Sequence, residues 1–286
     1  MSAKEFPKVS RMKNPVGLGN HAWNRRDFLR LGLLASAALA KGRLSLADEE
    51  THPDVTYYGA LQPLAPGAVR PEGWQRHWLE KQAAQLGSKL PQVSWPFSDA
   101  YWAGDETADS WWPWEQKAYW LDGATRLALV RATLDYTLTH AAANGYLGPK
   151  LFEDPVGEFH RWPQNVMFRS LAALSDATTI PGDPESVDIP AALRKHFLSD
   201  QADYGKPVRN ITNVEGMLWA YARTGDSALL ELAENAWGAF LENENPGYAD
   251  MSELRVFSAA PIDCHGVTYA EIMKLPALLY LYTGNP

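Results

Sequence analysis

The chain's single cysteine, Cys264, stands directly before His265 in the stretch PIDCHGVTYAEI, residues 261–272. A thiol becomes a nucleophile only where the fold brings a base or cation to it, and adjacency in sequence does not ensure that, because neighbouring side chains diverge. A structural zinc site takes about four N or S ligands, commonly paired as C-x2–4-C or H-x3–5-H, and no such pair occurs in the sequence. A catalytic zinc held by His265, Asp263 and a distant residue stays open. Cys264 itself reads as a small, inert core side chain.

The densest polar and aromatic cluster is DSWWPWEQKAYWLDG, residues 109–123. On a helix Glu115, Tyr119, Asp122 and Arg126 share one face, flanked by Trp112, Trp114 and Trp120. Such a face can line a sugar pocket. Equally it can be a solvated stripe closed by an Asp122–Arg126 ion pair. At a rise of about 1.5 Å per residue Glu115 and Asp122 stand roughly 10 Å apart along the axis, too far for the roughly 5–5.5 Å between the carboxyl groups of a retaining glycosidase. A second cluster, EFHRWPQNVMF, crowds His160, Trp162, Gln164 and Asn165 at the start of a helix. Unpaired N–H groups there suit hydroxyl or anionic ligands, or Gln164 and Asn165 satisfy nearby backbone. The sequence has no phosphate-binding glycine loop, G-x-S-x-G or H-E-x-x-H.

The elements that must position these residues are helical. Apolar spacing marks helices at 74–86, from Pro113 through Val130, at 163–175, at 213–223 and around Leu229–Phe240. Asp109 or Ser110 can cap the second, Asp226 the last, and Thr212 with Glu215 has the spacing of a capping box. A further helix follows His265 and holds Lys274 and Pro276, the proline predicting a bend. The turns TGD at 224–226 and TGN at 283–285 recur 59 residues apart, as in two-helix repeats. Asn285 and Pro286 have the residue types that begin a helix, which predicts that the native chain continues.

Composition narrows the function. The 286 residues carry a formal net charge of −8 with 46% hydrophobic content and 12 Trp, enough for a sizeable core. Residues 24–47 begin with NRRDFLR, continue in a short apolar run and end at Ala47. This is the grammar of a cleavable twin-arginine export signal, too short to span a bilayer. The reading divides the chain into a signal at 1–47, an extended lead-in at 48–72 and one domain at 73–286. It places the protein outside the bacterial cytoplasm, periplasmic or extracellular, with the twin-arginine export machinery as a partner and no membrane span after signal removal. Residues 1–47 hold nine of the 26 Lys and Arg but two of the 34 Asp and Glu, so the remainder has a formal charge of −15. Such a surface repels nucleic acid. One cysteine forms no internal disulfide.

Several segments in order, PLAPGAVRPEGWQRHWLEKQAAQLGSKL, WWPWEQKAYWLDG, NGYLGP, WPQNVMFRSLAAL and HGVTYAEIMKLPALLYLYTGNP, resemble the glycoside hydrolase family 127 group, the β-L-arabinofuranosidase-like enzymes. The resemblance covers about residues 60–286. It implies an all-α fold, an incomplete (α/α)6 barrel of the six-hairpin glycosidase type cut at its C-terminal end. The implied activity is retaining hydrolysis of terminal L-arabinofuranose-like sugars from a glycan or oligosaccharide. Its nucleophilic, zinc-held cysteine and its acid/base glutamate are expected beyond residue 286, so zinc belongs to a full-length protein, no catalytic residue is assigned here, and this chain alone is expected to be inactive. The position of Cys264 is usually not cysteine in that group. His265 resembles a histidine that contacts the sugar, Glu115 and Gln116 resemble a pocket-facing pair, and Tyr119, Trp162 and Asn165 complete the expected substrate-binding set. Between YWLDG and NGYLGP the chain is about ten residues shorter than the group's pattern. Two rival readings remain: a non-catalytic glycan-binding protein, and a metal-independent α/α-barrel uronyl hydrolase using paired carboxylates such as Asp122 or Asp263.

Overall fold

The structure is a computed structural model that describes residues 52–64, 68–93, 102, 112–125, 131–149, 161–178, 187–200, 202–206, 208–242 and 265–286. Among the described residues there is no strand. The helices are α1 (Gly73–Ala84), α2 (Leu86–Val93), α3 (Trp112–Thr125), α4 (Arg131–Thr139), α5 (Trp162–Thr178), α6 (Ile189–Ser199), α7 (Val214–Thr224), α8 (Ser227–Leu241), α9 (Gly266–Ile272) and α10 (Leu275–Thr283), with a 3-10 turn at Val208–Asn213 leading into α7. The export signal, Asp109, Ser110, Arg126, His160, Asp263 and Cys264 lie outside the described residues.

Helix α5 is the hub. Residues 161–168 at its start are all buried, the signature of a helix covered on every side. It runs parallel to α3: Tyr119 meets Trp162, with ring centroids 5.6 Å apart, and further along both helices, one turn on in α3 and two turns on in α5, Asp122 meets Arg169 at 3.1 Å. It runs parallel to α7 as well, with Phe168 beside Gly216 and Asp176 paired with Arg223 at 2.8 Å. The same direction continues into the last helices, since Glu215 pairs with Lys274 at 2.7 Å and Tyr221 packs edge-on against Tyr282. Helices α6 and α8 run the other way. Phe197 of α6 touches Gly216 near the start of α7, whereas Arg194 of α6 pairs with Asp226 beyond its end. A Cβ at Gly216 would stand 3.0 Å from the Phe197 ring, so glycine lets the two helices approach.

Both TG turns are left-handed stops. Gly225 and Gly284 have φ of 68° and 65° and donate to the carbonyls of Tyr221 and Tyr280. The lead-in crosses these two helix ends, packing His52 on Gly225 and Tyr58 on Gly284. Its backbone donates from His52 to Ala222 O at 2.7 Å and from Tyr58 to Leu281 O at 2.8 Å.

Local expectations fail at four places. The first helix ends at Ala84 and buries none of its residues; Trp74 and Trp78 are exposed. A second helix occupies 86–93, of which the apolar spacing marks only the first residue. Thr212 and Glu215 form no capping box, because Thr212 donates to Arg209 O within the 3-10 turn and Glu215 is drawn to Lys274. Pro276 bends no helix interior: it sits in the first turn of α10, where a missing N–H costs nothing, and α9 has already ended at Ile272.

Candidate functional site

The parallel direction of α3, α5 and α7 brings their N-terminal ends to one side, and the 3-10 turn and α9 close on the same place. Two asparagines set the register there. Asn210 accepts from the Arg161 backbone N–H at 2.7 Å, and Asn213 donates to the Arg161 carbonyl at 3.0 Å. The Arg161 side chain is anchored behind, with Nε and Nη2 donating to the Asp200 carboxylate at 2.9 and 3.0 Å while Tyr204 Oη donates to the same group at 2.6 Å. This clamp fixes the residue just before Trp162. It also holds Arg209, the neighbour of Asn210, beside α5.

Arg209 lies over the Trp162 ring with its guanidinium carbon 5.0 Å from the centroid, a cation–π contact, and its Nη2 donates to His265 Nδ1 at 3.0 Å. An arginine has no acceptor, so His265 Nδ1 presents a lone pair and the ring hydrogen of the neutral imidazole resides on Nε2. The same Nδ1 caps α9, accepting from the Thr268 N–H at 3.4 Å. His265 is exposed.

Below this layer Arg169 bridges two helices, donating to Asp122 Oδ2 at 3.1 Å and to Glu271 Oε1 at 3.2 Å. Glu115, one helical turn before Tyr119, is half-buried and has no ion pair among the described residues. Burial raises its carboxyl to about 7, with Arg209 pulling it down and Glu271 pushing it up. Tyr119 is also raised by burial, then by Glu271 and Glu115. Glu271 is raised by burial, against Arg169 and Lys274.

The site's most informative atoms are those the protein leaves unsatisfied. Tyr119 Oη, Trp162 Nε1, both amide atoms of Asn165, Arg169 Nε and Glu271 Oε2 are buried and have no hydrogen-bond partner among the described residues. A buried polar group left unmade costs about 1–3 kcal/mol, and native structures carry few of them. Here they occupy facing surfaces of α3, α5 and α9, with Asn165 one turn from both Trp162 and Arg169. The set mixes donors with acceptors beside aromatic rings. Sugar hydroxyls, which donate and accept, match it; a phosphate, which only accepts, does not.

Of the residues expected from the sequence, Glu115, Tyr119, Trp162, Asn165 and His265 gather here. Gln116, turned about 100° from Glu115 around α3, takes part in none of these contacts. Gln164 is structural, donating to Tyr146 Oη and to Leu147 O at 3.0 Å each. Asp122 pairs with Arg169 from α5, so the stripe with Asp122 is not simply solvated. Arg169, Arg209 and Glu271 were not foreseen; isolated charged residues carry no local signal, although the paired asparagines of NITN at 210–213 hint at a built turn. Two shallow hollows flank α7, one against the lead-in and α10 at Tyr57, Leu218 and Tyr282, the other beside Arg169, Glu215 and Trp219. Neither includes Glu115 or Trp162.

Among the described residues no three His, Cys, Asp or Glu side chains are grouped to hold a metal ion. No helix among them is long and apolar enough to cross a membrane. Comparison with protein-family models, with curated proteins and with solved structures finds no match.

Proposed function

We propose that the group formed by Tyr119, Trp162, Asn165, Arg209 and His265 is the sugar-recognition end of an exported glycoside hydrolase acting on terminal L-arabinofuranose-like residues. The observation that carries this reading is the cluster of buried donors and acceptors, partnerless among the described residues, beside the Tyr119–Trp162 aromatic contact. Polyhydroxylated ligands are recognised by just such groups, with the apolar face of the ring lying on an aromatic side chain. The parallel α3, α5, α7 and α9–α10 with returning α6 and α8 support an α/α barrel, in which helix starts converge on one mouth. The sugar class and the retaining course rest on the sequence resemblance, and the described residues supply binding rather than a nucleophile.

Hydrolysis of p-nitrophenyl β-L-arabinofuranoside by the whole product of the gene tests the proposal. Release of p-nitrophenol that is reduced at least tenfold by Trp162→Ala supports it. Undiminished release in that variant contradicts the place of Trp162 in the sugar site, and binding of arabinofuranosides without any release contradicts the hydrolase reading and assigns a glycan-binding protein instead.

A further inference from the structure

The 3-10 turn puts one side chain, Arg209, against two other elements of the site. Its main chain is fixed first: the Arg209 carbonyl accepts from Thr212 Oγ1 at 2.9 Å, and the next residue, Asn210, accepts from the Arg161 N–H while its amide donates to Asp203 O at 3.1 Å and Lys206 O at 3.3 Å. From that base the guanidinium lies over the Trp162 ring of α5 and reaches His265 at the start of α9. A planar guanidinium can stack on an indole and donate from its edge at the same time, which a lysine ammonium cannot.

On the histidine side three groups converge on a single atom. Arg209 Nη2 stands 3.0 Å from His265 Nδ1, Thr268 Oγ1 is also at 3.0 Å, and the Thr268 N–H is at 3.4 Å. Neither the guanidinium nor the amide can accept, so Nδ1 carries no hydrogen and the Thr268 hydroxyl donates to it as well. The opposite tautomer would turn an N–H toward the guanidinium that now bonds to it. A free imidazole moves its hydrogen between two nitrogens, and here its neighbours make the choice. The hydrogen bonds of this ring with described residues all fall on Nδ1, and the residue is exposed. Nε2–H is left for a ligand.

We propose that Arg209 is a positioning residue that holds His265 as the Nε2–H tautomer, so that His265 meets the sugar as a fixed hydrogen-bond donor to an acceptor oxygen and not as a base. The proposal deepens the sugar-site reading and rests on it. Its chemistry is directional: Nε2 bearing hydrogen has no lone pair with which to take a proton. The oxygen in front of His265 therefore accepts, and a glycoside offers such oxygens in its ring, its bridge and its hydroxyl groups. Arg209 needs no contact with the sugar, because it acts through the imidazole.

Two measurements on the full 286-residue chain test this. The first records nitrogen–proton correlation spectra of the histidine rings at about pH 8, where an ordinary imidazole is neutral, with the His265 signals identified by their loss in His265→Gln. Wild type is expected to show the Nε2–H form alone, and Arg209→Met a mixture in which the Nδ1–H form has become plainly visible. A mixture or the Nδ1–H form in wild type, or a spectrum unchanged by Arg209→Met, overturns the proposal, and no sugar is needed to see it. The second measures calorimetric affinity for methyl β-L-arabinofuranoside. Arg209→Met is expected to bind about tenfold more weakly, the worth of one hydrogen bond, with its urea midpoint near that of wild type. His265→Gln and His265→Leu both give up the imidazole that caps α9, but the glutamine amide keeps an N–H donor. His265→Gln is expected to bind about tenfold more tightly than His265→Leu. Equal affinity of wild type and Arg209→Met, or of the two His265 variants, overturns the inference while leaving a sugar site in place. No binding of the glycoside by wild type is a different failure: it removes the sugar site itself, and the donor role of His265 with it, whatever tautomer the spectra show.

Discussion

Asp122 of α3 lies 3.1 Å from Arg169 of α5, beyond the Tyr119–Trp162 contact by one turn of α3 and two turns of α5. Two parallel helices are thereby locked together, and the lock faces the candidate site. Arg169→Met removes it and takes from Asp122 and Glu271 the arginine they share. Loss of about 2–4 kcal/mol is expected in urea unfolding at pH 7, with much of it recovered by the double variant Arg169→Met, Asp122→Asn. Equal losses in single and double variants would show that the pairing does not hold the helices.

Asn165 is buried, and neither amide atom has a partner among the described residues. Replacing a structural asparagine costs the hydrogen bonds it makes, but among the described residues there is none to lose. Asn165→Leu is expected to keep or raise stability, within about 1 kcal/mol in denaturant titration, and to lose sugar binding. A loss above 2 kcal/mol would reassign Asn165 to the framework.

His196 offers a pH test of the core. It is fully buried, its Nδ1 accepts from the Leu147 N–H at 2.9 Å, and burial draws its pKa down to about 4. The unfolded imidazole titrates near 6.5. Between pH 6.5 and about 4 the unfolded chain therefore binds the extra proton, and stability falls as the pH falls. The decline amounts to about 3 kcal/mol across that window, read from urea midpoints at intervals of half a pH unit. His196→Gln flattens the curve. Asp200, whose carboxyl is lowered by Arg161 against the burial that raises it, adds its own loss only below the ordinary aspartate value of 3.8.

Glu115 acts in the opposite sense. Its carboxyl rises from 4.5 to about 7 on folding, so its ionisation opposes the folded state as the pH climbs through that interval. Glu115→Gln is expected to match wild type at pH 4 and to exceed it at pH 8 by about 1–2 kcal/mol, after allowing for partial exposure. Thermal melts at the two pH values check the sign.

Much of this architecture was legible in residue spacing. Val166, Leu171 and Leu174 of α5, and Val214, Leu218 and Tyr221 of α7, are buried at the positions their period predicts. Asp226 caps α8 by accepting from Ala228 N–H at 3.0 Å, as its place after TG suggests. What spacing cannot carry is competition from afar. Glu215 has the right offset for a capping box, yet Lys274, 59 residues away, takes it. Trp74 and Trp78 have helical spacing, but no described element covers them. The candidate site divides in the same way. Glu115, Tyr119, Trp162 and Asn165 belong to two dense motifs that the eye meets in sequence. Arg209 and Glu271 are single charged residues whose importance arises only when the 3-10 turn and α9 bring them to those motifs.

The central claim is that the partnerless polar atoms around Asn165 exist to hold a sugar. Isothermal titration of the 286-residue chain with methyl β-L-arabinofuranoside at pH 6, wild type beside Asn165→Leu, tests it most directly. A saturable one-to-one heat in wild type, absent from an equally stable Asn165→Leu, is the predicted result. Indistinguishable titrations of the two proteins, whether both bind or neither does, would contradict it.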